Sequence, residues 1–365
     1  MSIPSMHRYF TACAAILTAA LQLATASYAS TFQIEPAKEQ LGVTGTEVTV
    51  GSCAPLSGQM KDRGSEVVSG GRAYFSYIND HGGVQGRKIK LESCDDHYDA
   101  QGSIECFNNC LKEKVFLGTL FQGTVPASKY VPMSDVNHFP IVGISSGPDF
   151  ITTPFHPYVF QLRESNRNET REQVRKLWND LHIRRIGIAY QNDAYGATVR
   201  EGIVQALAEY GASPVVQVSF ARLETNMDAV IHDLKAAKAE AIVLGGSGIA
   251  LPTLVKRRQE MGDNVQLVGV SPGTDLVVKG AGKLADGMLI TQVVPLTKRE
   301  LPTVKLYEKV FEQYEHQKPN FSSFEGFLIG MVVAEGLKRT GKDLTRSNFL
   351  KAMESIHDFD MGLGP

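Results

Sequence analysis

Polar clusters rich in serine, threonine and glycine recur in this chain wherever an apolar, strand-like run ends. Ser57-Gly58 follows one such run, Gln122-Gly123-Thr124 a second and Ser145-Ser146 a third. Asp193-Ala194-Tyr195, Gly246-Ser247-Gly248 and Ser271-Pro272-Gly273 stand in the same position later in the chain. Hydroxyls and backbone N–H groups gathered at helix starts hold a carboxylate or carbonyl well, so the chemistry on offer is hydrogen bonding to a small polar molecule. Taken singly, each such serine also reads as a helix cap or turn residue. Arg63, just past the first cluster, adds a guanidinium that can grip a carboxylate with two N–H groups, or can point to solvent.

Nucleophilic catalysis is the rival chemistry. Gly143-Ile144-Ser145-Ser146-Gly147 fits the Gly-x-Ser-x-Gly elbow and follows a strand-like run, with Asp343 and His357 later in hydrolase order. The elbow needs a helix directly after its serine, however, and Pro148-Asp149 with Thr152-Thr153-Pro154 reads as loop. The histidines form no His-Glu-x-x-His, and neither a Gly-x-x-x-x-Gly-Lys followed by Ser or Thr nor a Gly-x-Gly-x-x-Gly after the first strand occurs. No metal or cofactor is expected.

The elements that must place these clusters alternate strand with helix. The spacing predicts strands over 47–53, 87–94, 115–121 and 139–144, with helices over 63–80, 100–112 and from about 126. A second alternation follows: helices over 166–181, 195–210, 226–237 and 249–261, strands over 185–190, 214–220, 241–244 and 266–270. Helices over 302–314, 321–340 and 345–356 close the chain. Such alternation builds parallel, doubly wound sheets, and two runs of it indicate two lobes with a cleft between them. Residues 70–96 show the framework logic. Ala73, Phe75, Tyr77 and Ile78 fit a buried helix face, and Gly82-Gly83 stops that helix because glycine accepts the left-handed conformation just past a C-terminus. Ile89 and Leu91 then alternate with polar residues as in a strand, and Asp95 and Asp96 are expected to cap the next turn.

Bulk properties agree. A chain of 365 residues suits two lobes, and 43% hydrophobic with 21% charged residues is ordinary for a globular protein. A net charge of -2 gives no reason to expect a nucleic-acid partner. His7 and Arg8 precede an apolar, alanine-rich run to about Ala26, and Ser27-Tyr28-Ala29 offers small residues to a signal peptidase. Residues 1–29 are therefore expected to be a cleaved export signal, with an uncleaved anchor as the alternative that its shortness disfavours. Beyond Cys13 there remain Cys53, Cys94, Cys106 and Cys110. In an exported chain these suggest one or two disulfides of open pairing, Cys106 with Cys110 being the least expected. Zinc is the alternative, but Cys-x-x-Cys is absent.

Ile78-Asn79-Asp80-x-Gly82-Gly83-Val84-x-Gly86-Arg87-x-Ile89, leading to Cys94-Asp95-Asp96, resembles the type I periplasmic solute-binding proteins of ABC importers, in the branch of the leucine/isoleucine/valine-binding protein. Ala54-Pro55-Leu56-Ser57-Gly58, Tyr195-Gly196 and Ala285-Asp286-Gly287 continue the match in order, from about Val48 to the end of the chain. The resemblance implies an α/β fold of two doubly wound parallel-sheet lobes joined by a hinge. Residues 30–162 plus 294–365 would form the first lobe and 163–293 the second, with the family's final strands missing from this chain. It implies a monomeric periplasmic protein that closes on a small-molecule solute and passes it to an inner-membrane ABC permease. A periplasmic ligand sensor of the same fold is the alternative. Positions matching Thr124, Ser145 and Ser146 would contact the ligand from the first lobe, and those matching Tyr195 and Ser247 from the second. With Arg63, Gln122, Gly123 and Ser271, these make up the expected ligand-binding set. Two departures stand out. Amino-acid binders carry an ammonium-holding carboxylate where this chain has Ser271-Pro272-Gly273, so that Asp275 or Asp193 would have to substitute. Several relatives carry a tyrosine where this chain has Asp62-Arg63. A small carboxylate or amide-like ligand, aromatic ones included, is therefore expected more than a leucine-type amino acid.

Overall fold

The computed structural model describes residues 39–262, 264–295 and 300–364. The expected export signal, residues 1–29, lies outside the described residues. The first half runs β1 (Glu47–Ala54), α1 (Lys61–Asp80), β2 (Lys88–Asp95), α2 (Ala100–Lys112), β3 (Leu117–Gln122), α3 (Thr124–Asn137), β4 (Ile141–Ser145) and β5 (Val159–Phe160). Its strands form one parallel sheet in the order β2-β1-β3-β4-β5. β3 and β4 are buried at every position, as unbroken apolar runs require of parallel strands covered on both faces.

The second half runs α4 (Asn166–Arg175), β6 (Ile186–Gln191), α5 (Ala194–Ala208), β7 (Val216–Phe220), α6 (Asp228–Ala236) and β8 (Ala241–Gly245). It continues with α7 (Ala250–Lys256), β9 (Gln266–Gly269), α8 (Thr274–Ala281) and β10 (Leu289–Ile290). A second parallel sheet results, ordered β10-β9-β8-β6-β7. The fold is thus two doubly wound α/β lobes. Three helices follow: α9 (Pro302–Glu315), α10 (Phe321–Thr340) and α11 (Arg346–Glu354). They pack back on the first sheet, where Ile329, Val333 and Phe349 share a core with Val48, Val50 and Leu117.

Local chemistry moved some boundaries. The helix expected from about 126 starts at Thr124, after Gly123 at φ 88°, a backbone that disfavours any other residue. A Cβ there would lie 2.5 Å from the Tyr98 ring. The helix expected over 166–181 turns to π geometry at Lys176–Asp180, and the one expected over 249–261 breaks at Arg257. β5 and β10, two residues each, are too short to show a period.

α1 and α10 cross with their backbones in contact. A Cβ on Gly70 would lie 1.8 Å from the Ser323 carbonyl oxygen, and one on Gly326 would lie 1.9 Å from that of Val67. These hydrogens-only positions let Arg63 of α1 lie beside Glu325 of α10, 262 residues later in the chain.

Asp95 and Asp96 do cap turns. Asp95 accepts from the N–H groups of Leu56 (2.8 Å) and His97 (3.0 Å), and Asp96 from that of Tyr98 (2.9 Å). Asp96 Oδ2 is buried with no partner among the described residues. Burial, with the neighbouring charges of Asp95 and Asp99, pushes its carboxyl up to about 7 against the Tyr98 N–H. Its folded pKa thus exceeds its unfolded one, so its share of stability is full below about pH 4 and is lost as pH rises to about 7. Asp96→Asn keeps the acceptor for Tyr98 and cannot ionise. We expect it to stabilise the fold at pH 8 by up to about 4 kcal/mol, and by less at pH 5. Equal shifts at both pH values, read by thermal unfolding, would contradict this.

Candidate functional site

In the first sheet the strand order reverses between β1 and β3, and in the second between β6 and β8. Loops at the carboxyl ends of such strands frame a crevice. The expected residues meet there. Arg63, Gln122, Gly123, Thr124, Ser145, Ser146, Tyr195 and Ser247 all line one cavity, with Met60, Tyr98, Gly147 and Asn166. Strand register accounts for part of this, since Gln122 pairs with Ser145 across β3 and β4. The cavity volume is about 20 Å³, room for about one water.

Hydrogen bonds fix its wall. Thr124 Oγ1 and Ser146 Oγ lie 2.8 Å apart, and Gln122 donates to the Gly64 carbonyl at 3.1 Å. Asp193 caps α5 by accepting from the N–H groups of Tyr195 and Gly196 at 3.0 and 3.1 Å. Ser247 donates its hydroxyl and its N–H to Gln191 Oε1, at 3.0 and 3.1 Å.

Behind the wall runs a chain of buried charges. Arg63 donates through Nη2 to Ser145 Oγ (2.9 Å) and Glu325 Oε2 (3.1 Å), and through Nη1 to Ser322 Oγ (3.1 Å). Arg163 donates to the same Glu325 oxygen at 2.8 Å, while its Nη2 lies 4.0 Å from Glu169 Oε2. Burial alone would raise the Glu325 carboxyl, but Arg163 and Arg63 together hold it below its ordinary value. Burial opposes the charge of Arg163 too, yet Glu325 and Glu169 hold it fully protonated.

Two expectations need correcting. Ser271 does not line the cavity: its hydroxyl donates to Glu169 (3.0 Å) and accepts from Arg163, and its N–H donates to Glu169 (2.6 Å). The two-pronged grip foreseen for Arg63 is also altered, because both Nη2 hydrogens already serve Ser145 and Glu325. Nη1 and Nε retain N–H donors for a ligand.

Sequence reasoning missed Tyr98, Asn166, Arg163, Glu169 and Glu325. Glu325 left a signal, being the lone charge in the apolar stretch 321–334. Asn166 and Tyr195 stand apart from the other lining residues. Asn166 Oδ1 and the Tyr195 hydroxyl are buried and have no partner among the described residues. The Asn166 orientation follows from its neighbours: Thr198 donates its hydroxyl to the Tyr195 carbonyl (2.8 Å), so it must accept from Asn166 Nδ2 (2.8 Å). A bare acceptor and a bare hydroxyl thus border the cavity. Tyr195→Phe should weaken ligand binding about tenfold, as loss of one hydrogen bond, while leaving the ligand-free midpoint unchanged or higher. Calorimetry with a bound solute checks this, and undiminished affinity would remove Tyr195 from the site.

Ser145 is not arranged as a nucleophile. Its Oγ accepts from Arg63, no histidine among the described residues lines the cavity, and β4 leads into coil and a three-residue 3-10 turn at Asp149–Ile151 instead of a helix. The described residues contain no group of three or more His, Cys, Asp or Glu able to hold a metal.

A sequence profile described as periplasmic binding protein matches residues 47–365. The chain belongs to the periplasmic binding protein family. Among relatives of this periplasmic binding protein, Leu/Ile/Val-binding protein homolog 3 of Brucella melitensis is 21% identical over 324 residues, 87% of this chain and 86% of its own. A substrate-binding periplasmic protein from Ralstonia solanacearum superposes with a TM-score of 0.80 at 25% identity, over 86% of this chain and 90% of that one. A solute-binding protein of an R. palustris ABC transporter, in complex with benzoate, gives 0.76 at 19% identity, over 84% and 85%. In this periplasmic binding protein the cavity lies at the carboxyl ends of strands flanking both switch points.

Proposed function

We propose that this periplasmic binding protein captures a small solute bearing a carboxylate and delivers it to an ABC permease of the inner membrane. The observation that carries this reading is the wall itself: among the described residues it holds one cation, Arg63, and no carboxylate. The positive end of α3, fourteen residues long, adds to the field at Thr124. An amino-acid ligand, as the Leu/Ile/Val name of the Brucella relative suggests, would bring an ammonium that needs an acid. Asp275 Oδ2 already accepts from the N–H and hydroxyl of Ser322, and Asp193 Oδ1 from the start of α5. The acceptor for a ligand N–H is then the neutral Asn166, which suits an amide or hydroxyl donor.

Residues 30–162 with 294–365 would move as one lobe and 163–293 as the other, once the signal is removed near Ala29. Contacts that closure would make are present: Lys279 pairs with Glu66 at 2.6 Å, and Arg222 lies over the Tyr98 ring at 4.8 Å. A thermal-shift screen of aliphatic acids, aromatic acids, amides and amino acids tests the reading, since a ligand that binds only the folded state raises the midpoint. Shifts with acids are expected. Shifts confined to leucine-type amino acids would overturn the carboxylate-only reading.

A further inference from the structure

Four sulfur atoms converge on one side of the first sheet. Register places Cys53 of β1 beside Cys94 of β2, and Cys94 is bonded to Cys106 of α2. Cys110 follows Cys106 by one helical turn, on the same face of α2. Its sulfur presses on β1, because a Cβ on Gly51 would lie 2.8 Å from it. Gly51 and Cys53 are two residues apart, so they share a face of β1. Cys53 and Cys110 are both buried free thiols in one core cluster.

We propose that Cys53 and Cys110 form an oxidisable pair, which a small disulfide oxidant closes into a second disulfide beside Cys94–Cys106. Access is unequal. Cys110 lines a cavity of about 480 Å³ together with Cys94, Cys106 and Asn109, whereas Cys53 is absent from its wall. Cys53 is fully enclosed, and burial, then its hydrogen bond with Cys110, pushes its thiol well above the ordinary value. Cys110 is therefore the entry point and Cys53 the resolving thiol.

The chemistry is thiol–disulfide exchange. The Cys110 thiolate attacks an oxidant R–S–S–R, and one R–SH leaves carrying the Cys110 proton. Cys53 then gives up its proton and attacks the Cys110 sulfur of the mixed disulfide, expelling a second R–SH. The protein pair loses two electrons and two protons, and the oxidant gains both.

Glutathione disulfide serves as the probe on the full chain, folded and with its existing disulfide intact. After incubation the protein is denatured, alkylated with iodoacetamide without reduction, and mapped by peptide mass, which scores Cys13 apart. Alkylation at Cys53 and Cys110 should fall at least tenfold together, with a Cys53–Cys110 crosslinked peptide appearing. Cys53→Ser should stop at a stable glutathione adduct on Cys110, and Cys110→Ser should leave Cys53 unmodified until denaturation. Persistent alkylation of both cysteines in the unmutated chain would overturn the proposal, as would a crosslink of Cys110 to Cys94 or Cys106.

Discussion

Arg63→Ala should lower affinity for a carboxylate solute on the order of a hundredfold while the protein stays folded. Arg63 is the one cation in the cavity wall among the described residues. Removing one partner of a desolvated charge pair costs about 2–5 kcal/mol, and each 1.4 kcal/mol is about tenfold in Kd. The fold survives because Glu325 keeps its 2.8 Å bond to Arg163, and Ser322 still donates to Asp275 at 2.9 Å. Arg63→Lys keeps the charge but not the fan of donors reaching Ser145, Ser322 and Glu325 together. It should recover only part of the loss. Calorimetry on both variants, with circular dichroism to confirm folding, reads the result. A folded alanine variant of unchanged affinity would place the anion elsewhere in the cleft.

Glu325→Gln should produce the largest loss of stability, about 3–5 kcal/mol. Its carboxylate offsets two guanidinia at once, with side-chain exposures of only 2% for Arg163 and 15% for Arg63. The variant leaves Arg163 with Glu169 alone, 4.0 Å away. The pH dependence has a defined sign. Because the folded Glu325 pKa lies below the unfolded value, its contribution is present above the unfolded pKa of about 4.5. It is lost as pH falls through the folded one. The Gln variant lacks that acid-side loss, so the two urea midpoints should converge as pH falls from about 4.5 through the folded Glu325 value. Arg163→Met added to Glu325→Gln should not recover the loss, because Glu169 is then a buried carboxylate without its cation. Equal midpoints for Glu325→Gln and the unmutated chain at pH 7 would show that the charge chain does not hold the closed cleft.

Much of the fold was readable because it is written in short-range patterns. The apolar runs at β3 and β4, and the glycine stop after α1, each need fewer than twenty neighbouring residues to recognise. The candidate wall was readable for a related reason: parallel sheets put their serine and threonine turns at carboxyl strand ends, and the switch points gather those turns. What escaped was set by distance in sequence or by the commitment of single atoms. Glu325 meets Arg63 only because Gly70 and Gly326 let two helices touch, a fact without local trace. Ser271 obeys the same strand-end pattern as Ser145, yet Arg163 and Glu169 draw it behind the wall. Nor does sequence say that Arg63 Nη2 is fully occupied. Tyr98 stands at φ 59°, an uncommon backbone for a tyrosine that strand–helix spacing does not anticipate.

The central claim is that the cleft recognises a carboxylate through Arg63. It is tested most directly by isothermal calorimetry with a matched pair: the acid giving the largest thermal shift, and its methyl ester. The acid should bind at least a hundredfold more tightly than the ester to the unmutated protein, and Arg63→Ala should remove the difference. Equal affinity for acid and ester would contradict it.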